Sequence, residues 1–132
     1  MAARLRFIGW QLFGVCLVVF GIVHFRYATE TAAMVPGWLP AGALFWAYAT
    51  GVAHAAAGIA MISGVHRWLA AVLITAMFVV FSALVHVPLL VADPRGHLSW
   101  VMNAINLCLI GAAWAIADSI QVRKRPDASE CA

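Results

Sequence analysis

The sequence predicts an all-α integral membrane protein, a four-helix bundle with both its N- and C-termini in the cytoplasm. Of its 132 residues, 65% are hydrophobic and only 10% are charged, whereas soluble domains carry about 25% charged residues. The apolar run over residues 68–91 contains no Asp, Glu, Lys or Arg. At about 1.5 Å per helical residue, this run is long enough to cross the ~30 Å hydrocarbon core of a bilayer. We therefore expect a single membrane domain over residues 1–132.

The first spanning helix is predicted over residues 7–25, directly after Arg4 and Arg6. A basic start followed by an apolar run is also the pattern of a secretory signal peptide. This run is longer than the apolar core of about 7–15 residues that such peptides carry, and the chain after it stays apolar. We interpret it as a permanent helix of the bundle.

A loop at the membrane interface is predicted over residues 26–40, which contain Gly37 and two prolines. Glycine and proline at this density end a helix. Trp38 would anchor the loop, because tryptophan favours the boundary between lipid and water.

The second spanning helix is predicted over residues 42–62 and is rich in small side chains. Small residues recur at helical spacing, namely Ala43, Ala47, Gly51, Ala55 and Gly58. Such a stripe lets two helix backbones approach closely. We expect this face to pack against other helices of the bundle.

The third and fourth spanning helices are predicted over residues 68–91 and 100–117. His86 and Pro88 lie near the end of the third helix, and a polar loop with Pro94 and Gly96 separates the two. Residues 118–132 are predicted to form a polar cytoplasmic tail. Two cysteines lie inside apolar runs, where cysteine usually serves as a small apolar residue, and Cys131 is expected to be a free thiol on the tail.

The distribution of basic residues predicts the orientation of the four helices. Six lie on the side of the termini, namely Arg4, Arg6, Arg67, Arg123, Lys124 and Arg125, and two on the other, Arg26 and Arg95. The side richer in Lys and Arg is normally cytoplasmic. The sequence thus predicts a multi-pass protein of the cell membrane, with the bacterial inner membrane as the expected location.

Polar residues from all four helices are predicted to converge in the outer half of the bundle. The candidate ligand-binding set is His24, Glu30, His54, His86, Asn103 and Asn106. Most of these lie on the same helical face as small or polar neighbours, which favours an inward orientation. His54 stands about 18 Å along its helix at the helical rise, so we expect it to be roughly two turns too deep to join His24 in a metal site.

Several kinds of site could use this set. Histidine and asparagine often join membrane helices structurally by hydrogen bonds worth about 0.6–2 kcal/mol. A metal site or a bis-histidine haem needs ligands at one depth. His24, His86 and Glu30 could meet that condition for a metal, and His24 and His86 come closest to it for haem. We favour a quinone or another apolar ligand, which needs an apolar cleft with a few hydrogen-bonding groups. His24 and His86 would then exchange protons with the ligand, and Glu30 would tune them from the loop.

Other chemistries find little support in the residues. The cysteines show no spacing typical of metal ligands, so no metal site is assigned, and no Ser or Cys has a recognisable His and acid partner in its sequence context. There is no nucleic-acid-binding motif and no basic patch interleaved with aromatic residues. The bilayer itself is the first expected partner.

Several short segments resemble the DoxX-like family of small four-helix membrane proteins. They are Gly21-x-x-His24-Phe25, Glu30, the MVPGWLP stretch of residues 34–40, Gly51, Gly58 and His86-x-Pro88. The family takes its name from a small subunit of a quinone-linked thiosulfate-oxidising complex. The resemblance implies a redox-associated membrane role beside a membrane or peripheral oxidoreductase. It carries no established catalytic residue onto this chain, and the lack of paired cysteines disfavours thiol exchange.

Three functional hypotheses follow. The first is a redox-associated membrane subunit that binds a quinone-like or other apolar ligand in an outward-facing polar pocket. The second is a scaffold or accessory subunit without a ligand, whose polar residues fix the helix register. The third is a carrier for a small solute. The sequence leaves the ligand and the question of catalysis open.

Overall fold

The computed structural model describes the backbone of residues 2–122 and the side chains from residue 4 onward. This part of the chain is helical, with short connections and no strand. Its elements in order are α1 (Ala2–Arg26), α2 (Ala28–Ala32), α3 (Ala43–Ser63), α4 (Arg67–Phe81), a π-helical segment (Ser82–His86), α5 (Val87–Ala92) and α6 (His97–Val122). The prediction of an all-α chain is confirmed.

Four of the described helical stretches are long and apolar enough to cross a membrane. They are Arg4–Arg26, Ala43–Ser63, Arg67–Ala92 and His97–Val122. The third stretch is composite, because α4, the π segment and α5 follow one another without a break. We call the end of the bundle with the connections after α1 and α5 the loop end, and the end with the connection between α3 and α4 the turn end.

The helices extend beyond several predicted boundaries. α1 already begins at Ala2, and α6 runs from His97 to Val122 rather than over 100–117. His97, expected in a loop, is therefore the first residue of α6, and the predicted tail is helical over residues 118–122. A helix can continue past the apolar region because polar residues such as Gln121 remain good helix formers in water. The rest of the predicted tail, from residue 123, lies outside the described residues.

The predicted loop after α1 contains the short helix α2. Ala28 is buried, and Glu30 is exposed. The following MVPGWLP stretch is irregular, as its prolines and glycine predict. Trp38 is 68% exposed, which leaves its indole available to the interface.

α1 and α3 pack closely through glycines, which confirms the prediction for the small-residue face of α3. A Cβ added at Gly58 would lie 2.6 Å from the carbonyl oxygen of Gly14, and one at Gly21 would lie 2.9 Å from that of Gly51. Since real Cβ atoms do not approach an oxygen so closely, only glycine permits this spacing. The same packing shows α1 to be an integral helix of the bundle.

The apolar core occupies the half of the bundle nearer the turn end. It combines residues from all four long stretches, namely Trp10, Phe13, Leu17, Ala57, Met61, Ala70, Ala71, Ile74, Phe78, Ala113, Ile116 and Ala117. The buried polar side chains Thr50, His54, His86 and Asn106 lie outside this cluster. The two halves of the bundle therefore differ in chemistry, with polar groups concentrated from the middle toward the loop end.

Two tryptophans at the loop end form the same kind of hydrogen bond. The indole N–H of Trp46 donates to the carbonyl oxygen of Pro40 at 2.7 Å, and that of Trp100 donates to the carbonyl oxygen of Pro94 at 2.9 Å. Each bond ties the first turns of a long helix to the loop before it. Both loops are thereby fixed beside the polar half.

The π segment explains how Pro88 fits inside the third stretch. A proline in a regular α-helix lacks the backbone N–H and clashes with the carbonyl four residues earlier, here that of Leu84. In the structure the N–H of Val87 donates to the carbonyl oxygen of Ser82, five residues back. This wider turn relieves the clash, and π turns of this kind are frequent at functional sites.

Candidate ligand site in the polar half of the bundle

His24 and His54 form a stacked pair between α1 and α3. Their ring centroids are 4.8 Å apart with an angle of 29° between the ring planes. The expectation that His54 lies roughly two turns too deep to join His24 was therefore wrong. In a helix each Cα–Cβ bond tilts toward the helix N-terminus, and the two helices are antiparallel. The two side chains consequently lean toward each other. Their rings are therefore closer together than the count of residues along the two helix axes suggests.

Both imidazoles are held in one tautomer by their own helices. Nδ1 of His54 lies 2.9 Å from the carbonyl oxygen of Thr50, and Nδ1 of His24 lies 2.8 Å from that of Phe20. A carbonyl oxygen only accepts, so Nδ1 must carry the proton. In the neutral ring Nε2 is then an unprotonated acceptor. The pair thus presents two basic nitrogens that form no bond between helices.

Aromatic side chains surround His54 at the middle of the bundle. The ring of Phe20 lies 5.7 Å from it between centroids, and that of Phe78 lies 5.5 Å away. His54 is only 2% exposed. Apolar rings around a basic nitrogen form the kind of environment that an apolar ligand with a polar head requires.

A second polar group lies between the π segment and α6. The side-chain amide Nδ2 of Asn103 donates to the carbonyl oxygen of His86 at 2.9 Å and to that of Ser99, also at 2.9 Å. Asn103 therefore joins α6 to the irregular turn. The His86 side chain is 8% exposed, and its ring makes no hydrogen bond within the described part of the chain.

Two buried polar atoms near this group have no hydrogen-bond partner among the described residues. They are Nδ2 of Asn106 and Oγ of Ser82. The bond between Asn103 and His86 fixes the register of the antiparallel helices. Asn106 follows Asn103 by three residues on α6, and Ser82 precedes His86 by four residues on the antiparallel helix. Asn106 and Ser82 therefore lie at about the same level along the bundle. We name Ser82, His86, Asn103 and Asn106 the amide cluster.

Phe78 connects the two polar groups. It contacts His54 on one side, and it precedes Ser82 by one helical turn, about 6 Å along the axis. The histidine pair and the amide cluster therefore occupy adjoining levels from the middle of the bundle toward the loop end, with an aromatic ring between them.

The predicted site residues divide into three sets. The structure brings His24 to His54 and His86 to Asn103, and it buries Asn106 beside them. Glu30 is exposed on α2 and makes no hydrogen bond or ion pair within residues 2–122, so its tuning role stays a prediction. Sequence reasoning included neither Thr50 nor Ser82 in the candidate site. The signal for Ser82 was its spacing, four residues before His86 and six before Pro88.

The described residues do not form a metal-binding site. Residues 2–122 contain no group of three or more His, Cys, Asp or Glu side chains that could hold a metal ion. The histidine pair alone would supply two nitrogen ligands, fewer than the four of a structural zinc site or the three of a catalytic one.

One family model matches the chain over residues 13–117, and its description is a domain of unknown function, DUF8561. The matched range contains the histidine pair, the amide cluster and the glycines between α1 and α3. No curated protein and no solved structure matches. The resemblance to the DoxX-like family stays a prediction.

Proposed function

This chain belongs to the DUF8561 family, and we propose that it is a four-pass cell-membrane protein that binds a quinone-like or other apolar ligand. The ligand would lie between the histidine pair and the amide cluster. In this role the protein serves as a redox-associated subunit beside a membrane or peripheral oxidoreductase. The observation that carries the proposal is the buried and unpartnered side-chain amide of Asn106.

The amide of Asn106 supports a ligand that accepts hydrogen bonds. The residue is 6% exposed, and its Nδ2 has no partner among the described residues. A buried donor left without an acceptor costs about 1–3 kcal/mol. A carbonyl oxygen of a bound ligand would remove this cost, and Oγ of Ser82 could donate to the same or a neighbouring atom.

The histidine pair supports a ligand that also donates hydrogen bonds. Each Nδ1–H is occupied by a carbonyl of its own helix, so each Nε2 is left to accept a hydrogen bond. The hydroxyl groups of a reduced quinone are donors of this kind. The same ligand could then meet donors when oxidised and acceptors when reduced.

The scaffold alternative is supported by two side-chain amides that join helices. That of Asn103 donates to the carbonyl oxygen of His86, and that of Gln11 donates to the carbonyl oxygen of Ile62. The two histidines of the pair bond to carbonyls of their own helices, so their hydrogen bonds do not join helices. A role limited to structure therefore leaves the accepting Nε2 atoms of the pair unexplained. The carrier alternative predicts solute flux into liposomes that contain the purified protein.

A ligand-binding measurement tests the proposal through Asn106. We expect Asn106→Leu, which keeps the number and branching of the side-chain heavy atoms but removes the amide, to weaken binding of a short-chain benzoquinone about tenfold, the loss of one buried hydrogen bond. The matched control is Thr75→Val, because the Thr75 hydroxyl donates to the carbonyl of Ala71 in its own helix. Binding is measured by titration of the protein in nanodiscs.

Three outcomes would contradict the proposed ligand. Equal quinone affinity in the Asn106 variant and the Thr75 control would mean that the amide meets water rather than ligand. A visible haem spectrum in the purified protein would replace the quinone with a pigment. A preparation that contains neither haem nor quinone, and that shows no measurable quinone affinity, would favour the scaffold hypothesis.

The proposed orientation is tested with thiol labelling. We expect Cys131 to react with a membrane-impermeant maleimide only after the inner membrane is opened, because the tail follows the basic side of the protein. A Gly37→Cys variant should react in intact spheroplasts, since a Cβ at Gly37 meets no atom within 4 Å. Labelling of Cys131 in intact spheroplasts would reverse the orientation.

A further inference from the structure

The loops that lead into α3 and α6 share a sequence motif. Residues 40–46 and 94–100 both read Pro-x-Gly-x-Leu-x-Trp. In each copy the backbone N–H of the tryptophan donates to the carbonyl oxygen of the glycine at 3.4 Å, and the indole N–H donates to the carbonyl oxygen of the proline. The chain therefore consists of two similar hairpins. We call α1 to α3 the first hairpin and α4 to α6 the second hairpin.

The two hairpins pack closely against each other on one side of the bundle. α1 packs on α3 in the first hairpin, α4 packs on α6 in the second, and α3 packs on α4 between them. If the hairpins were related by a twofold axis along the bundle, α6 would pack on α1 in the same way as α3 packs on α4. Within residues 2–122 the structure shows no such close packing of α6 on α1. We call the space between α1 and α6 the seam.

The seam is closed near the turn end by the apolar core. Phe13 of α1 and Ile116 of α6 are both buried in that core. Toward the loop end the same face of α6 becomes exposed, from 8% at Ile116 to 39% at Ile105, since the eleven residues between them make about three turns. On α1 the side chains of Phe20 and His24 are partly exposed. The seam therefore opens beside the histidine pair.

The unpartnered amide of Asn106 lies on the inner side of this opening. Asn103 faces the third stretch, because its amide donates to the carbonyl oxygen of His86. At about 100° per residue, Ile105 lies on the other flank of α6. Asn106 lies between these two flanks and is buried. A ligand head that is bonded to Asn106 therefore has the seam directly beside it.

We propose that the ligand carries a long hydrocarbon tail, and that this tail lies in the seam and extends from it into the bilayer. The inference rests on the function proposed above, because the seam leads to the same site. The ligand then reaches the histidine pair and the amide cluster sideways from the membrane. Entry from the loop end is less favourable, since the indole bonds of Trp46 and Trp100 hold both loops there.

The side chains along the seam favour a flexible tail over a helix of a second copy. Phe20 on α1 and Ile105 and Leu109 on α6 are large, whereas membrane helices that approach closely present small residues to each other. A flexible chain can follow such an uneven surface. An apolar helix would also leave the amide of Asn106 without an acceptor. A ligand with a polar head and an apolar tail satisfies both the amide and the seam.

Two benzoquinones with the same head test for the tail. One carries a single isoprene unit and the other a long isoprenoid tail, and each is titrated into the full-length protein in nanodiscs. Ala112 is exposed on the seam flank of α6, seven residues after Ile105. We expect Ala112→Trp to weaken binding of the long-tailed quinone about tenfold, because the indole overlaps the tail. Binding of the short quinone is expected to stay unchanged.

Ala104→Trp is the matched control. Ala104 is exposed and precedes the buried Ala113 by nine residues, about two and a half turns, so it faces away from the bundle. We expect this variant to bind both quinones as the unaltered protein does. Ile105→Trp blocks the same flank as Ala112→Trp and decides the test should the Ala112 variant not fold.

The outcomes separate the tail from the proposed function itself. Binding of both quinones that Ala112→Trp and Ile105→Trp leave unchanged, or that Ala104→Trp weakens equally, would contradict the tail in the seam alone. A change from dimer to monomer in the Ala112 variant by native mass spectrometry, with long-tailed quinone binding retained, would place a second copy in the seam instead. No binding of either quinone to the unaltered protein would contradict the proposed function.

Discussion

Gly58→Ala is expected to destabilise the protein by about 3 kcal/mol, the upper range for overpacking a tight contact. The added Cβ would meet the carbonyl oxygen of Gly14 at 2.6 Å and the backbone nitrogen of Val18 at 2.8 Å. Backbone atoms cannot move aside as a flexible side chain can, so α1 and α3 must separate. The measurement is the midpoint of unfolding in micelles of mild detergent with increasing sodium dodecyl sulfate.

The matched control for this substitution is Gly111→Ala in α6. A Cβ at Gly111 meets no atom within 4 Å, so we expect no loss, or a gain of up to about 1 kcal/mol from better helix propensity. If both variants unfold at the same midpoint, the close approach of α1 and α3 does not exist in the folded protein. The position of the histidine pair would then also need revision, because it depends on that approach.

His54→Phe is expected to weaken binding of a short-chain benzoquinone at least about tenfold while the protein still folds. Phenylalanine retains the ring contacts to His24, Phe20 and Phe78 but removes both nitrogens. Because the side-chain hydrogen bond that His54 makes among the described residues goes to its own helix, we expect the free energy of unfolding to change by no more than about 1 kcal/mol. Binding and unfolding are measured on the same preparation.

His97→Phe is the control for this experiment, because His97 is exposed at the start of α6. It makes the same chemical change at a position outside the histidine pair and the amide cluster, and we expect no effect on binding. Retained binding in His54→Phe would place the ligand away from the histidine pair. Loss of folded protein in that variant, with His97→Phe unaffected, would give His54 the structural role of the scaffold hypothesis.

The long apolar runs and the small-residue face of α3 were predictable because both depend on composition at helical spacing. Gly51 and Gly58 show this directly, since their spacing alone predicts a face for close packing. The contact between His24 and His54 was not predictable from depth, because it depends on side-chain tilt in two antiparallel helices.

The membership of the amide cluster was partly predictable. His86, Asn103 and Asn106 were identified because polar residues in long apolar helices normally face the interior. Their separate roles were not predictable. Only the register of the helices shows that the amide of Asn103 donates to the carbonyl oxygen of His86, whereas the amide of Asn106 has no partner among the described residues. Because Asn103 and Asn106 are three residues apart, a shift of about one helical turn would be needed to exchange these two roles.

The π turn at Ser82–His86 has an evolutionary consequence. Such a turn holds about one residue more than an α turn, so a chain shorter by that residue could form a regular helix with the same faces on either side. We expect homologous sequences to differ here by a one-residue gap, which is a rare event inside an apolar span. Sequences with the gap should also lack Pro88, because a regular helix has no room for its ring.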